Sequence, residues 1–251
     1  MVIQNFNQTN LEPCLIPKLS VLPDRFSVLI GHAYGSPEGS EPSDFIASNV
    51  LKFLEANDNS IETIIFTGDV FAVPSSLKWK KLYNNFGSQD LFIAPGNHDI
   101  LRLDSNEVFQ RNKFIRQDYP FKTITSQSHI ILTDSISNNW KVSEKLTKLI
   151  KEQNSEIFIA RHNVVASDLI GFANSSSGFS EIPTVHQLVN NLDTEHNVTW
   201  IMGDGGAFAN LPRITCHKYK QHRFVINGIG EISGDTILIL HEGNLYQFTL
   251  V

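Results

Sequence analysis

The chain has 251 residues, 41% hydrophobic and 18% charged, with a formal charge of −6, long enough to bury a sizeable core. The acidic balance argues against a nucleic-acid partner, because phosphate backbones are gripped chiefly by Lys and Arg. No apolar run approaches the roughly 20 residues that cross a bilayer, and the opening "MVIQNFNQTNLEPCLIPKLS" has neither a basic leader nor a continuous apolar stretch, so no membrane association and no signal peptide are expected.

Cys14 and Cys216 lie far apart, and the expectation is a cytoplasmic chain with free thiols. On that footing the N-x-S/T triplets at Asn7, Asn174 and Asn197 are chance matches. In chain order, strands and helices alternate. "RFSVLIGH" is a continuous apolar run ending in Gly31-His32, the pattern of a strand covered on both faces. "SDFIASNVLKFLEAND" places Ile46, Val50, Phe53 and Leu54 on one helical face, with Ser43 as N-cap. "IETIIFTGD" is the next strand, and "SSLKWKKLYNNFG" repeats the helical spacing at Trp79, Leu82, Tyr83 and Phe86 before Gly87.

"QDLFIAPGNHD" is a third strand, followed by a helical or irregular "SNEVFQRNKFIRQDYP" and the strand "SHIILTDS". "VSEKLTKLIKEQN" is a helix with Val142, Leu146, Leu149 and Ile150 inward; "EIFIARHN", "TVHQLVNNL" and "NVTWIMGDGG" continue as strand, short helix and strand. After residue 210 helices stop: "RITCHKYK", "HRFVINGIG", "DTILILHEG" and "LYQFTLV" are strands, with "HEGN" as a hairpin turn. The Ser-rich "GFANSSSGFSEIP" reads as a surface loop, and nothing splits the chain. One α/β domain over residues 1–251, with a mixed sheet and a β-rich end at 210–251, is expected.

Polar residues recur where apolar strands end: His32, Asp69, Asn97-His98-Asp99, His162 and Asp204. In open α/β folds, ligands bind outside those ends. Each alone has a bland explanation, since Gly-Asp after a strand is commonly a turn and a single His is more often a structural hydrogen bonder. The ordered series is more informative. It resembles the calcineurin-like metallophosphoesterase superfamily, whose members carry Asp-x-His, Gly-Asp-x-x-Asp, Gly-Asn-His-Asp/Glu, a lone His and Gly-His-x-His in that order. "FTGDVFA" matches the second motif at Gly68-Asp69, "PGNHD" the third in full, "IFIARHN" the fourth at His162, and "WIMGDGG" stands where the fifth belongs. The likeness spans about residues 26–230.

The resemblance implies a four-layer α/β/β/α sandwich of mixed sheets and a metal-dependent hydrolysis of a phosphate ester, mono- or diester. It maps Asp69 onto a carboxylate that bridges two cations, Asn97 and His162 onto metal ligands, and His98 onto the imidazole that stabilises or protonates the leaving oxygen. Asp99 would then orient His98. Manganese, zinc, iron or nickel suits such a mixed N/O set. The departures are uneven. The first motif has His32 for Asp and Tyr34 for His, the second has Ala72 for its last Asp, and the fifth has Asp204 and Gly206 for its two His.

One metal position therefore keeps Asp69, Asn97 and His162 with Asp204 as a substitute carboxylate, while the other retains Asp69, His32 and a poor ligand in Tyr34. One well-bound ion and a weak or missing second are expected, and Gly206→His should strengthen the second. The expected partner is a small phosphorylated substrate. The alternative is a non-catalytic relative that binds a phosphorylated ligand or a protein. Hydrolysis without metal ranks last, because no Gly-x-Ser-x-Gly elbow is present and neither Cys is in an activating context. The run "RITCHKYKQHR" reads as ordinary surface charge.

Overall fold

A computed structural model describes residues 11–35, 45–101, 103–111, 118–125, 128–174, 181–206, 208, 210–230 and 234–250. The strands are β1 (Glu12–Pro13), β2 (Phe26–Ile30), β3 (Ile61–Phe66), β4 (Asp90–Ile93), β5 (Phe121–Thr125), β6 (Ser128–Leu132), β7 (Ile157–Arg161), β8 (Val198–Met202), β9 (Ile214–Tyr219), β10 (His222–Asn227), β11 (Thr236–His241) and β12 (Asn244–Thr249). They form two sheets, in the orders β1-β9-β10-β8-β7-β6-β5 and β12-β11-β2-β3-β4. The runs β2-β3-β4 and β6-β7-β8-β10 are parallel; β5, β9 and β11 join them antiparallel, and β1 and β12 pair antiparallel with β9 and β11.

The helices are α1 (Ser48–Ala56), α2 (Ser76–Phe86), α3 (Asn97–Ile100), α4 (Leu103–Arg111), α5 (Glu144–Lys151) and α6 (Val185–Leu192), with a 3-10 turn at Ser167–Phe172. Alternation along each strand sorts side chains into layers. On β2, Phe26, Val28 and Ile30 pack with Val50 and Phe53 of α1 and Trp79 and Leu82 of α2. On β7 and β8, Ile157, Ile159, Val198 and Trp200 pack with Leu146 and Ile150 of α5 and Leu188 of α6. The opposite faces meet between the sheets, where Leu29 and Ile65 contact Phe158, Ile201 and Val225. The result is the α/β/β/α sandwich of mixed sheets.

Sequence and structure differ in a few places. The first helix starts at Ser48 with Ala47 before it; Ser43 lies outside the described residues, as do 112–117 of the ambiguous segment and 175–180 of the Ser-rich loop. Strands β1 and β5, at opposite edges of the larger sheet, were not legible. The thiols are not free. Cys14 and Cys216 form a disulfide with Cα atoms 5.0 Å apart, and the Cys14 N–H donates to the Cys216 carbonyl at 3.0 Å. Pairing of Glu12 and Pro13 with Lys218 and His217 brings the two cysteines together. The thiol-based reason for a cytoplasmic location therefore falls away. Among the described residues, no helix is long and apolar enough to cross a membrane.

Arg213 is also not surface charge. Its Nε lies 3.1 Å from the fully buried Asp235 carboxylate, with its own side chain 11% exposed.

Candidate metal centre

The carboxyl ends of β2, β3, β4, β7 and β8 deliver His32, Asp69, Asn97-His98-Asp99, His162 and Asp204. His32 and Asp69 both have left-handed backbones, with φ of 53° and 54°, a conformation that non-glycine residues rarely adopt and that concentrates at functional sites. Gly96 permits close approach: a Cβ there would stand 2.2 Å from Asp69 Oδ1.

His162 Nε2 is the focus. It lies 3.0 Å from Asn97 Oδ1, 3.5 Å from Asp69 Oδ2 and 3.7 Å from Asp204 Oδ1. Nδ1–H of the same ring donates to the Thr67 carbonyl at 3.1 Å, which leaves Nε2 free to bind a cation or a proton. The ring is wholly buried. Burial opposes its protonation, but the Asp69 and Asp204 carboxylates outweigh that and raise its pKa. The same two charges would attract a metal ion.

Atoms bound to one ion at about 2.1 Å stand roughly 3.0–3.4 Å apart; His162 Nε2 meets that spacing with Asn97 and exceeds it with the two carboxylates. Among the described residues no three His, Cys, Asp or Glu side chains already close on a point as a ready cation site. This set is slightly wide, and an amide completes it. Its donor types fit a divalent ion.

Asp69 divides its oxygens. Oδ1 accepts the His98 backbone N–H at 2.9 Å, whereas Oδ2 faces His162 on one side and, at 3.8 Å, His32 Nε2 on the other. Burial pulls the His32 pKa down to about 4, with the Asp69 charge opposing it, so at neutral pH His32 is an uncharged donor. Asp69 itself is held below the usual carboxylate range: burial works against ionisation, and His162, His32 and His98 overcome it. Asn163 Nδ2 donates to Asp204 Oδ2 at 3.5 Å.

The second metal position is poorer. Beyond His32 and Asp69 it meets Tyr34, whose ring packs between His32 at 4.3 Å and His98 at 5.1 Å. Burial, then the charges of Asp69, Asp204 and Asp99, push the Tyr34 phenol far up, so it stays protonated and ligates weakly. Gly206 has φ +72°, and a Cβ there would stand 2.1 Å from the Gly228 carbonyl oxygen. That corrects the expectation that an imidazole placed at 206 would complete the second position, because no side chain fits without moving the backbone.

Asp99 does not orient His98. Its Oδ2 accepts the backbone N–H groups of Asp69 and Gly96, both at 2.9 Å, and its Oδ1 that of Val70 at 3.3 Å. It clamps the loops after β3 and β4 together. Burial and the neighbouring Asp69 charge push its carboxyl up to about 7, against those donors. His98 Nδ1–H instead donates to the Ala72 carbonyl at 2.8 Å, and its Nε2 lies 3.5 Å from the Tyr34 hydroxyl. The carbonyls of Thr67 and Ala72 were invisible to sequence reasoning, since any residue supplies one. Asn163, directly after His162, was readable and missed.

Four α/β/β/α layers with carboxylates, imidazoles and an amide converging at the strand ends define a two-sheet α/β chain with a candidate cation site. No family model matches it, and a comparison with curated proteins finds no match. Among solved structures it is similar to phosphopantetheinyl hydrolase from Mycobacterium tuberculosis, at 10% identity and a TM-score of 0.46, over 82% of this chain and 90% of that one. A protein from Thermus thermophilus is 12% identical, with a TM-score of 0.45 over 90% and 99% of the two chains. For 5'-nucleotidase from Candida albicans the identity is 14% and the TM-score 0.43, over 90% of this chain and 49% of that one. Likeness at this level says nothing about the reaction or substrate of this chain.

Proposed function

We propose that the chain is a metal-dependent phosphoesterase with a one-ion centre formed by Asp69, Asn97, His162 and Asp204. The observation that carries this is His162 Nε2 amid three oxygens at 3.0–3.7 Å with its other nitrogen committed to Thr67. A divalent cation held there supplies the positive charge that draws electron density from a phosphoryl group. His98 lies at the edge of this cluster, partly exposed, with Nδ1 fixed by Ala72. Its Nε2 is therefore the atom aimed at the leaving oxygen: as water adds to phosphorus and the ester P–O bond breaks, the imidazolium form of His98 gives its Nε2 proton to that oxygen and the proton released by the added water replaces it. His32 stays a neutral neighbour of Asp69.

Manganese, zinc, iron and nickel all suit this donor set, and a small phosphorylated molecule is the substrate. A binder without turnover is favoured by one observation: the backbone at Gly206 excludes the side chain that a second ion would need.

Chromogenic aryl phosphate and its bis-ester, offered with each of the four metals, separate the two. Metal-dependent turnover that His98→Ala abolishes, with metal uptake retained, supports the hydrolase. An intact protein that binds metal yet turns over neither ester with any ion contradicts it.

A further inference from the structure

Six large apolar side chains stand mostly in solvent among the described residues: Leu15, Val21, Val73, Leu77, Leu101 and Leu103. Four of the six fall on two segments. Val73 (67% exposed) and Leu77 (80%) follow β3, and Leu101 (67%) and Leu103 (83%) follow β4. Those strands are parallel neighbours, and the segments are bound together beyond them. Asp99 accepts N–H groups from Asp69 and Val70, and Trp79 of α2 meets Phe109 of α4 edge-on at 5.7 Å.

His98 belongs to the segment after β4, and its ring is held by the segment after β3. The Ala72 carbonyl that fixes its ring immediately precedes Val73, and Leu101 follows His98 by three residues, on the same face of the α3 turn. Exposed apolar residues are ordinarily scattered. These gather on the two segments that hold one imidazole.

Resting on the hydrolase reading above, the geometry points to a substrate whose leaving group is an apolar alcohol, aryl or alkyl. His98 serves the leaving oxygen, so the alcohol portion of the ester extends over the surface that flanks His98. A sugar or nucleoside there would set hydroxyls against the hydrocarbon side chains of Val73 and Leu101 and lose hydration without compensation. An aryl or alkyl group gains by covering the same surface.

The test uses the manganese-loaded full chain and two non-hydrolysable probes, methylphosphonate and naphthylmethylphosphonate, in titration calorimetry. The naphthyl probe should bind at least about tenfold tighter, the scale on which small apolar contacts discriminate. That ratio should fall close to one in the Val73→Ser/Leu101→Ser double variant, whose substitutions lie at exposed positions and whose folding is checked by circular dichroism.

Equal affinity of the two probes overturns the inference. So does a preference that survives in the double variant, or a concentration-dependent dimer whose assembly those substitutions abolish. If the chain takes up manganese and binds methylphosphonate without preference, only the inference fails. If it takes up no manganese, the hydrolase reading fails and the inference with it.

Discussion

Replacing Gly206 by His would, by motif alone, restore a missing ligand and draw in a second ion. The structure leads to the opposite outcome. At φ +72° a non-glycine residue is strained by about 1–2 kcal/mol. The new Cβ would also stand 2.1 Å from the Gly228 carbonyl oxygen and 2.6 Å from its carbon. Relief requires the strand ends after β8 and β10 to part by more than about 1 Å, and forced repacking of that kind costs about 1–3 kcal/mol.

The sum, about 2–5 kcal/mol, corresponds to a melting temperature lowered by about 5–20 °C in a chain of this size. The clash is at Cβ, so Gly206→Ala should be destabilised about as much as Gly206→His. Thermal unfolding of both variants, with metal content measured after gel filtration from excess manganese, reads the two effects. A Gly206→His protein as stable as the parent and carrying two ions would refute the reasoning.

Asp99→Ala leaves three buried backbone N–H groups without an acceptor, and a loss of about 3–5 kcal/mol is expected in denaturant titration; a change under 1 kcal/mol would show that Asp99 is no clamp. His222 is buried, accepts the Trp200 Nε1–H at 3.2 Å and lies 3.3 Å from Thr194 Oγ1, and burial lowers its pKa to about 4. The folded state thus binds this proton less readily than the unfolded chain, whose histidine titrates near 6.5, so the contribution is intact above about pH 6.5 and is lost as pH falls toward 4. The loss at pH 4.5 is about 2–3 kcal/mol, and His222→Gln should flatten that slope; an unchanged slope would contradict the assignment. Thiol titration of the unfolded, unreduced protein should find no free thiol and, after reduction, two, since Cys14 and Cys216 are bonded. Reduction should cost up to about 5 kcal/mol for a loop closed across 202 residues.

Most of the strands and helices were legible because the strands are continuous apolar runs such as "FSVLI" and "IFIAR" that are buried throughout and the helices show an apolar face; their division into two sheets came from the family resemblance alone. The site residues were legible by position, since parallel strands deliver their carboxyl ends to one edge. Relations between those residues were not. His98 and Asp99 are adjacent in sequence and were paired on that account, yet consecutive residues of a helical turn point in different directions, and the carboxylate found backbone donors instead. Cys14 and Cys216 meet only because a two-residue strand adds to the edge of β9, a pairing too short to show as a pattern. The closure of the second position at Gly206 depends on contact with Gly228, a backbone-to-backbone approach between segments that no side-chain motif records.

The central claim is a cation held jointly by Asp69, Asn97, His162 and Asp204, and anomalous diffraction from crystals grown in ample manganese tests it most directly. One peak is predicted, bonded to His162 Nε2 and to oxygens of Asp69, Asn97 and Asp204, and absent in His162→Ala. A cluster holding only water at full manganese, with His162 Nε2 still 3.0 Å from Asn97 Oδ1, would contradict the account.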